Sequence, residues 1–291
     1  MSIKEIVVIS GKGGTGKTSI VGSFASLISK AVLADCDVDA ADLHLLLEPI
    51  IKEEKPFYGG KVAFIDEIKC NECGLCEEMC RFEAIESFKV EPVFCEGCCF
   101  CYYLCPEEAV QMKDDFSGHW FLSETRYGPL VHARLGVAAE NSGKLVAEVR
   151  QKAREVAREK EASYILTDGP PGTGCPVIAS ITGADLALVV TEPSISGLHD
   201  LERIADVTKH FNIPSLVCIN KHDLHPGKSR EIENYCEKEN IKVAGRVRFD
   251  SRVIEALIEG KSLVEYSKGK AAQEVKGLWL EVLNNINERE G

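Results

Sequence analysis

The chain has 291 residues, 45% hydrophobic and 27% charged, with a net charge of −12. That length buries a sizeable core as one large domain or two smaller ones, and the acidity argues against broad non-specific binding to nucleic acid or to an anionic membrane. No run of 18 apolar residues occurs and the N-terminal apolar stretch is too short for a signal peptide, so a cytoplasmic protein without stable membrane insertion is expected.

The apolar run Ile6-Val7-Val8-Ile9 reads as a strand, and Ser10-Gly11-Lys12-Gly13-Gly14-Thr15-Gly16-Lys17-Thr18 follows it directly. The spacing fits G-x-x-x-x-G-K-[ST] on Gly11, Gly16, Lys17 and Thr18. Glycines let a backbone wrap an anion and aim successive N–H groups at it. Lys17 then reaches the β and γ phosphates, the Thr18 hydroxyl ligates Mg²⁺, and the helix that begins near Lys17 and Ser19 adds its positive dipole end.

A second lysine, Lys12, stands where an ordinary P-loop has no fixed charge. Here the chain resembles the deviant Walker A ATPases, the family of MinD, ParA, Mrp and the nitrogenase iron protein. The resemblance implies that Lys12 reaches across a nucleotide-bridged homodimer to the partner's phosphates.

Helical spacing of Ile20, Phe24, Leu27 and Ile28 covers Ser19 to Lys30, and Ala31 to Ala34 reads as a buried strand ending at Asp35-Cys36-Asp37-Val38-Asp39. Carboxylates at that end of a strand lie where an open α/β sheet binds its ligand. By resemblance, Asp37 is the switch I aspartate that positions the attacking water and senses the γ-phosphate beside Mg²⁺, and Asp35 is its neighbour.

Composition changes near Tyr58-Gly59-Gly60 and changes back near Asp114 to Gly118, two turn-like ends of an insertion. Nine of the thirteen cysteines lie between Cys70 and Cys105. A reducing compartment disfavours structural disulfides, so this crowding suggests metal. Cys70, Cys73, Cys76 and Cys80 recur 25 residues later as Cys95, Cys98, Cys101 and Cys105, each run a C-x-x-C-x-x-C-x-x-x-C. C-x-x-C pairs also bind zinc, but a zinc site takes four ligands rather than a duplicated run.

The pattern resembles bacterial two-cluster ferredoxins, in which the fourth cysteine of each run ligates the other cluster. Carried over, one [4Fe–4S] cluster takes Cys70, Cys73, Cys76 and Cys105, and the other takes Cys95, Cys98, Cys101 and Cys80. Pro106 follows Cys105 as the pattern asks, whereas Arg81 follows Cys80. Cys99 falls outside the pattern and reads as a small packed residue.

Leu130 to Leu135 reads as a strand. Asn141-Ser142-Gly143 opens a helix with Ser142 as N-cap and Leu145, Val149, Ala153, Val156 and Ala157 as its apolar face. Tyr164 to Thr167 is an apolar strand ending at Asp168, the Walker B arrangement, and Asp168 would hold Mg²⁺ through water. The following Gly-Pro-Pro-Gly-Thr-Gly string resembles switch II of the Mrp group. Cys175 after it reads as a lone packed cysteine.

Leu186 to Val190 and Ser215 to Ile219 supply two further buried strands, with a helix from Leu198 to His210 between them. Asn220-Lys221-His222-Asp223 matches N-K-x-D, in which the aspartate reads guanine in GTPases. In the deviant Walker A family the asparagine contacts adenine. GTP stays open on this motif; Lys12 and the switch II string put ATP ahead. Arg248-Phe249-Asp250 resembles the family's segment beside the base, while His44, His119 and His132 lack metal-like spacing.

The C-terminal stretch Lys276 to Ile286 carries an apolar stripe of Leu278, Leu280, Val282, Leu283 and Ile286 with Trp279. MinD proteins end in a basic amphipathic helix that binds membrane, but here acids balance bases, so docking onto the protein's own sheet is expected.

The resemblance spans the whole chain. It implies an α/β P-loop NTPase with a mostly parallel doubly wound sheet, residues 1–58 and 118–291, carrying a small α+β ferredoxin-like domain at 59–117. The expected cofactors are ATP, Mg²⁺ and two [4Fe–4S] clusters. The first functional expectation is ATP-controlled cluster assembly or transfer to apo iron–sulfur proteins. The alternatives are nucleotide-gated electron donation to a redox partner and a MinD-like positioning role.

Overall fold

The computed structural model describes residues 3–39, 41–136 and 142–288. The chain forms two compact units, the first of Met1–Glu54, Trp120–Ala133 and Ser142–Gly291, the second of Lys55–His119 and Arg134–Asn141.

The first unit is built on a parallel sheet. Its strand order is β11 (Lys242–Val247), β10 (Ser215–Asn220), β9 (Leu186–Thr191), β1 (Lys4–Ser10), β8 (Tyr164–Pro171), β2 (Ala31–Asp35) and β7 (Gly128–Leu135), with each neighbouring pair parallel. The order continues through β6 (Val110–Thr125) and β3 (Ile50–Ile65), two long strands that carry the chain from one unit into the other.

Successive residues of β1 serve opposite cores. Ile6 and Val8 join α1 (Lys17–Ala25), α2 (Leu43–Leu47), α10 (Leu263–Tyr266) and α11 (Lys270–Asn287) on one face. Val7 and Ile9 join α6 (Cys175–Ile181), α7 (Ile195–His210) and α8 (Pro226–Lys238) on the other. Cover on both faces is why these strands read as unbroken apolar runs rather than alternating ones. α5 (Ser142–Glu159) packs against β2 and α6, and Leu145, Val149, Ala153 and Ala157 are among its buried residues.

From β1 the chain crosses through α1 to β2 on one side of the sheet, whereas β8 is followed by β9 on the other. β1 is therefore the switch point, and the crevice beyond its C-terminal end is where such sheets bind ligands.

Near the opposite end of β1, Glu5 is buried and would be costly there unpaired. Its carboxylate receives Arg150 Nε at 2.6 Å on one oxygen and Arg154 Nη2 at 2.6 Å on the other. Arg150 Nη1 also donates to the Ala179 and Thr182 carbonyls at 2.6 and 2.9 Å, which ties α5 to the end of α6. Arg150→Ala leaves the buried Glu5 charge to Arg154 alone and strips the Ala179 and Thr182 carbonyls of a donor. Urea denaturation is expected to show a loss of about 3–5 kcal/mol; a loss below about 1 kcal/mol would mean that the pair carries little.

Several elements differ from the sequence reading. α1 stops at Ala25, although Leu27 and Ile28 still pack against the core through the following turn. Ser142 is the first residue of α5 rather than its N-cap, and Asn141 lies outside the described residues. Tyr58-Gly59-Gly60 and Asp114 to Gly118 are strand interior, not turns. Cross-strand contacts explain it: Gly59 N–H donates to Ser117 Oγ at 3.1 Å, Lys61 Nζ pairs with Asp114 at 2.8 Å, and Tyr58 meets Phe116 edge-on at 6.2 Å.

In α11, Leu278, Trp279, Val282 and Ile286 are buried in the core, and Trp279 lies 4.8 Å from the Phe24 ring. Leu280 is instead 60% exposed, because it projects from the opposite side of the helix. Among the described residues no helix is long and apolar enough to cross a membrane.

The second unit repeats itself at 25 residues in structure as in sequence. α3 (Leu75–Glu78) corresponds to α4 (Phe100–Leu104), and the short β4 (Ile85–Glu86) and β5 (Lys89–Val90) pair antiparallel between them. Positive backbone φ recurs at Glu72 and Gly97, at Gly74 and Cys99, and at Glu83 and Glu108. The halves are interlocked: Asp66 N–H donates to Ala109 O and Glu91 N–H to Ala84 O, both at 2.8 Å. Ile85 and Val110 fill equivalent positions in a small core with Ala63 and Ile65.

Candidate functional site

The loop after β1 turns into α1 at Gly16, whose φ of 94° is open to glycine and strained for other residues. A Cβ at Gly16 would also lie 2.4 Å from Asn220 Nδ2. Gly13 and Gly14 are exposed at the tip, Gly11 is half-buried, and Thr18 and Ser19 are half-buried in the first turn of α1.

Lys17 is only 5% exposed, and its Nζ lies 3.7 Å from Asp37 Oδ2. Burial raises the Asp37 carboxyl, and Lys17 only partly offsets it. Asp35 is fully buried and accepts the N–H groups of Asp37 at 3.1 Å and Leu43 at 3.3 Å, so it fastens the loop that presents Asp37. Burial and then the Asp168 charge push Asp35 well above the usual carboxylate range.

Asp168 stands near the end of β8, and Cys36 N–H donates to its carbonyl at 2.8 Å. Burial pushes its carboxyl up to about 7 against the pull of Lys17 and a hydrogen bond from Thr18. Its Oδ1 is buried with no hydrogen-bond partner, and so is Thr15 Oγ1 in the P-loop. Orphaned buried acceptors are costly, and the Asp168 carboxylate, hydrogen-bonded by Thr18 and with one oxygen left unpartnered, offers that oxygen to a divalent cation. These residues fit Mg²⁺.

Lys12 folds back along its own chain. Its Nζ lies 2.7 Å from Glu192 Oε1 and donates to Ser196 Oγ at 2.9 Å. Asn220 donates through Nδ2 to Thr15 O at 2.7 Å, and Lys221 Nζ donates to Gly14 O at 3.0 Å. Beside them runs a cleft lined by Gly14, Gly16, Ser19, Asn220, Phe249 and Ile254 of α9 (Arg252–Ile258). Asp223 is absent from that lining. Its Oδ1 accepts the Phe249 N–H at 2.7 Å, so this oxygen fixes the loop rather than facing a base.

Sequence reasoning missed Glu192 and gave Lys221 no role beyond its place in the N-K-x-D string. The signal was available: Thr191-Glu192-Pro193-Ser194 follows β9 at the same end of the sheet as the P-loop.

The second unit brings its cysteines around two cavities. One is lined by Cys70, Cys73, Cys76 and Cys105. The other is lined by Cys80, Cys95, Cys98 and Cys101, with Cys99 added. Cys76 is raised by burial and then by the charges of Cys70 and Cys105; Cys101 is pushed up to about 11 by burial and then by Cys95 and Cys98. Backbone N–H groups donate to sulfur at Cys70 from Glu72 (3.4 Å), at Cys95 from Ala63 (3.5 Å) and at Cys105 from Ala109 (3.3 Å).

Among the described residues no three His, Cys, Asp or Glu side chains converge on a single-ion site. Each cysteine quartet surrounds a space rather than a point. Three half-buried thiols and one exposed thiol per quartet, with N–H donors on some of the sulfurs, match the donor chemistry of an iron–sulfur cluster.

Two cysteines depart from expectation. Cys175 is exposed, not packed, at the first position of α6. Cys99 is half-buried and occupies a left-handed position, φ 63°, where its counterpart in the first half is Gly74. His132 is satisfied by Ser123 Oγ at 2.9 Å and stacks on Phe121.

The sequence profile of the CobQ/CobB/MinD/ParA nucleotide binding domain matches residues 6–264. An uncharacterized protein of Methanocaldococcus jannaschii is 34% identical over 95% of this chain and 95% of its own length. The iron-sulfur cluster carrier protein of Pyrococcus furiosus is 27% identical over 45% of this chain and 48% of its own. Among solved structures, the septum site-determining protein MinD of Pyrococcus horikoshii, complexed with Mg-ADP, superposes with a TM-score of 0.58 at 18% identity, covering 97% of this chain and 96% of that one.

Proposed function

Because the chain belongs to the CobQ/CobB/MinD/ParA nucleotide-binding family, we propose that it hydrolyses ATP and uses the nucleotide cycle to control two [4Fe–4S] clusters held by its second unit. The observation that carries the cluster half of this reading is the division of the eight repeat cysteines between two cavities, four to each, with Cys99 beside the second set.

In this reading Lys17 and the P-loop N–H groups bind the β and γ phosphates, and Thr18 with Asp168 holds Mg²⁺. Bound Mg²⁺ supplies charge neutralisation for the phosphoryl group. Asp37 orients the attacking water, and two copies close on nucleotide with Lys12 released toward the partner. Adenine is favoured over guanine because one oxygen of Asp223, the group that would read guanine, is engaged by the Phe249 N–H.

Electron donation is the better supported use of the clusters. Each cavity has a full set of four cysteines from this chain, and a fully ligated cluster is kept rather than handed on. Bound clusters would supply one-electron chemistry. Cluster transfer is the second reading, supported by the similarity to an iron-sulfur cluster carrier protein over about half of each chain. A MinD-like membrane role is disfavoured, since the apolar face of α11 is already buried.

The test is iron retained by anaerobically purified protein after incubation with MgATP and excess apo-acceptor. Electron donation predicts that all iron stays and that the EPR signal of the reduced clusters changes with ATP. Iron loss with acceptor activation would replace it by cluster transfer.

A further inference from the structure

Glu192 stands just past β9, and its backbone is fixed by a tight turn: Ser194 N–H donates to Glu192 O at 2.8 Å, and Ser194 caps α7 through Gly197 N–H at 3.0 Å. From this frame the carboxylate spans two lysines that touch the P-loop. One oxygen lies 2.7 Å from Lys12 Nζ, the other 3.1 Å from Lys221 Nζ. Lys221 Nζ also donates to Gly14 O at 3.0 Å, and Lys12 Nζ reaches the hydroxyls of Ser196 at 2.9 Å and Ser194 at 3.4 Å.

The Glu192 side chain is 21% exposed, against 33% for Lys12 and 28% for Lys221. Burial alone would raise its carboxyl, but the hydrogen bonds from Lys12 and Lys221 outweigh it and hold the group below its ordinary range. Two cations beside a phosphate cradle are thus paired with a carboxylate on their own chain, in a place where the incoming ligand is itself an anion.

We propose that Glu192 is a positioning residue that holds Lys12 and Lys221 against the P-loop in the nucleotide-free chain and competes with nucleotide phosphates for their charge. Entry of a nucleotide exchanges one anion for another on the same two ammonium groups. The exchange sets how tightly a lone chain binds a diphosphate, and it keeps Lys12 docked in cis until a phosphate displaces the carboxylate. This inference rests on the P-loop reading and is independent of the clusters.

The experiment is titration of the full chain with a fluorescent ADP analogue and Mg²⁺. Glu192→Gln keeps the side-chain shape and removes the charge. It is expected to tighten binding about fivefold, from two partly exposed ion pairs of ordinary strength. In a background carrying both Lys12→Ala and Lys221→Ala the same change is expected to have no effect on affinity.

A Glu192→Gln chain that binds the analogue no tighter than wild type overturns the inference. So does a fivefold gain that persists in the double-lysine background, since it would act through the fold instead of through the lysines. If the wild-type chain binds no nucleotide at all, the P-loop reading itself fails and this inference goes with it.

Discussion

Lys17→Ala is expected to abolish MgATP hydrolysis. Lys17 is the buried cation against which Asp37 and Asp168 are set, and its charge pulls both carboxyls down against the burial that raises them. Without it the acidic cluster has lost its internal counter-charge, and both carboxyls move further toward the neutral form. Phosphate charge in the transition state also loses a preorganised donor. Removing one such donor costs about a hundredfold to a thousandfold in rate, and loss of the counter-charge adds to that. Phosphate release by anaerobic protein under saturating MgATP is the measurement, with circular dichroism to show that the variant is folded. Turnover by folded Lys17→Ala at the wild-type rate would sink the ATPase assignment.

A comparably large effect is expected from paired cysteine substitutions. If the two runs exchange their fourth ligands, Cys73→Ala with Cys105→Ala damages one site twice, and about four of about eight irons remain. Cys73→Ala with Cys80→Ala damages both sites, and iron falls toward zero. Were each run to hold its own cluster, the two outcomes would be reversed. The lining of the cavities favours exchange, because Cys105 joins Cys70, Cys73 and Cys76 while Cys80 joins Cys95, Cys98 and Cys101. Iron and sulfide content after anaerobic reconstitution decides between the pairings.

Much of this architecture was legible because the sequence states it locally. A continuous apolar run, a glycine-lysine loop and an aspartate at the end of an apolar run are each defined within a few residues; β1 and β9 follow those signals closely, while β8 continues past Asp168 to Pro171. The cysteine spacing was equally plain. What escaped is set by contacts between distant segments. Gly59 and Gly60 carry a turn composition, yet the pairing with Asp114 to Ser117 keeps both stretches extended. Glu5 reads as an ordinary polar residue at a strand start, and only the arginines 145 and 149 residues away make it a buried anchor. Glu192 belongs to the same class, being set by lysines on two other loops. Asp223 shows the converse: its motif was easy to see, but its partner on the Phe249 backbone was not.

The interlocked halves of the second unit limit how this module can be cut or inherited. The cavity that holds Cys70, Cys73 and Cys76 is completed only by Cys105, and the main-chain bonds between Asp66 and Ala109 and between Glu91 and Ala84 cross the same divide. A fragment ending between the repeats would carry three thiols for one cavity and a stray one for the other. Neither half is a smaller version of the whole. Each repeat can therefore drift in its surface residues but not in its cysteine spacing, since an insertion in one run would spoil a cavity that the other run also builds.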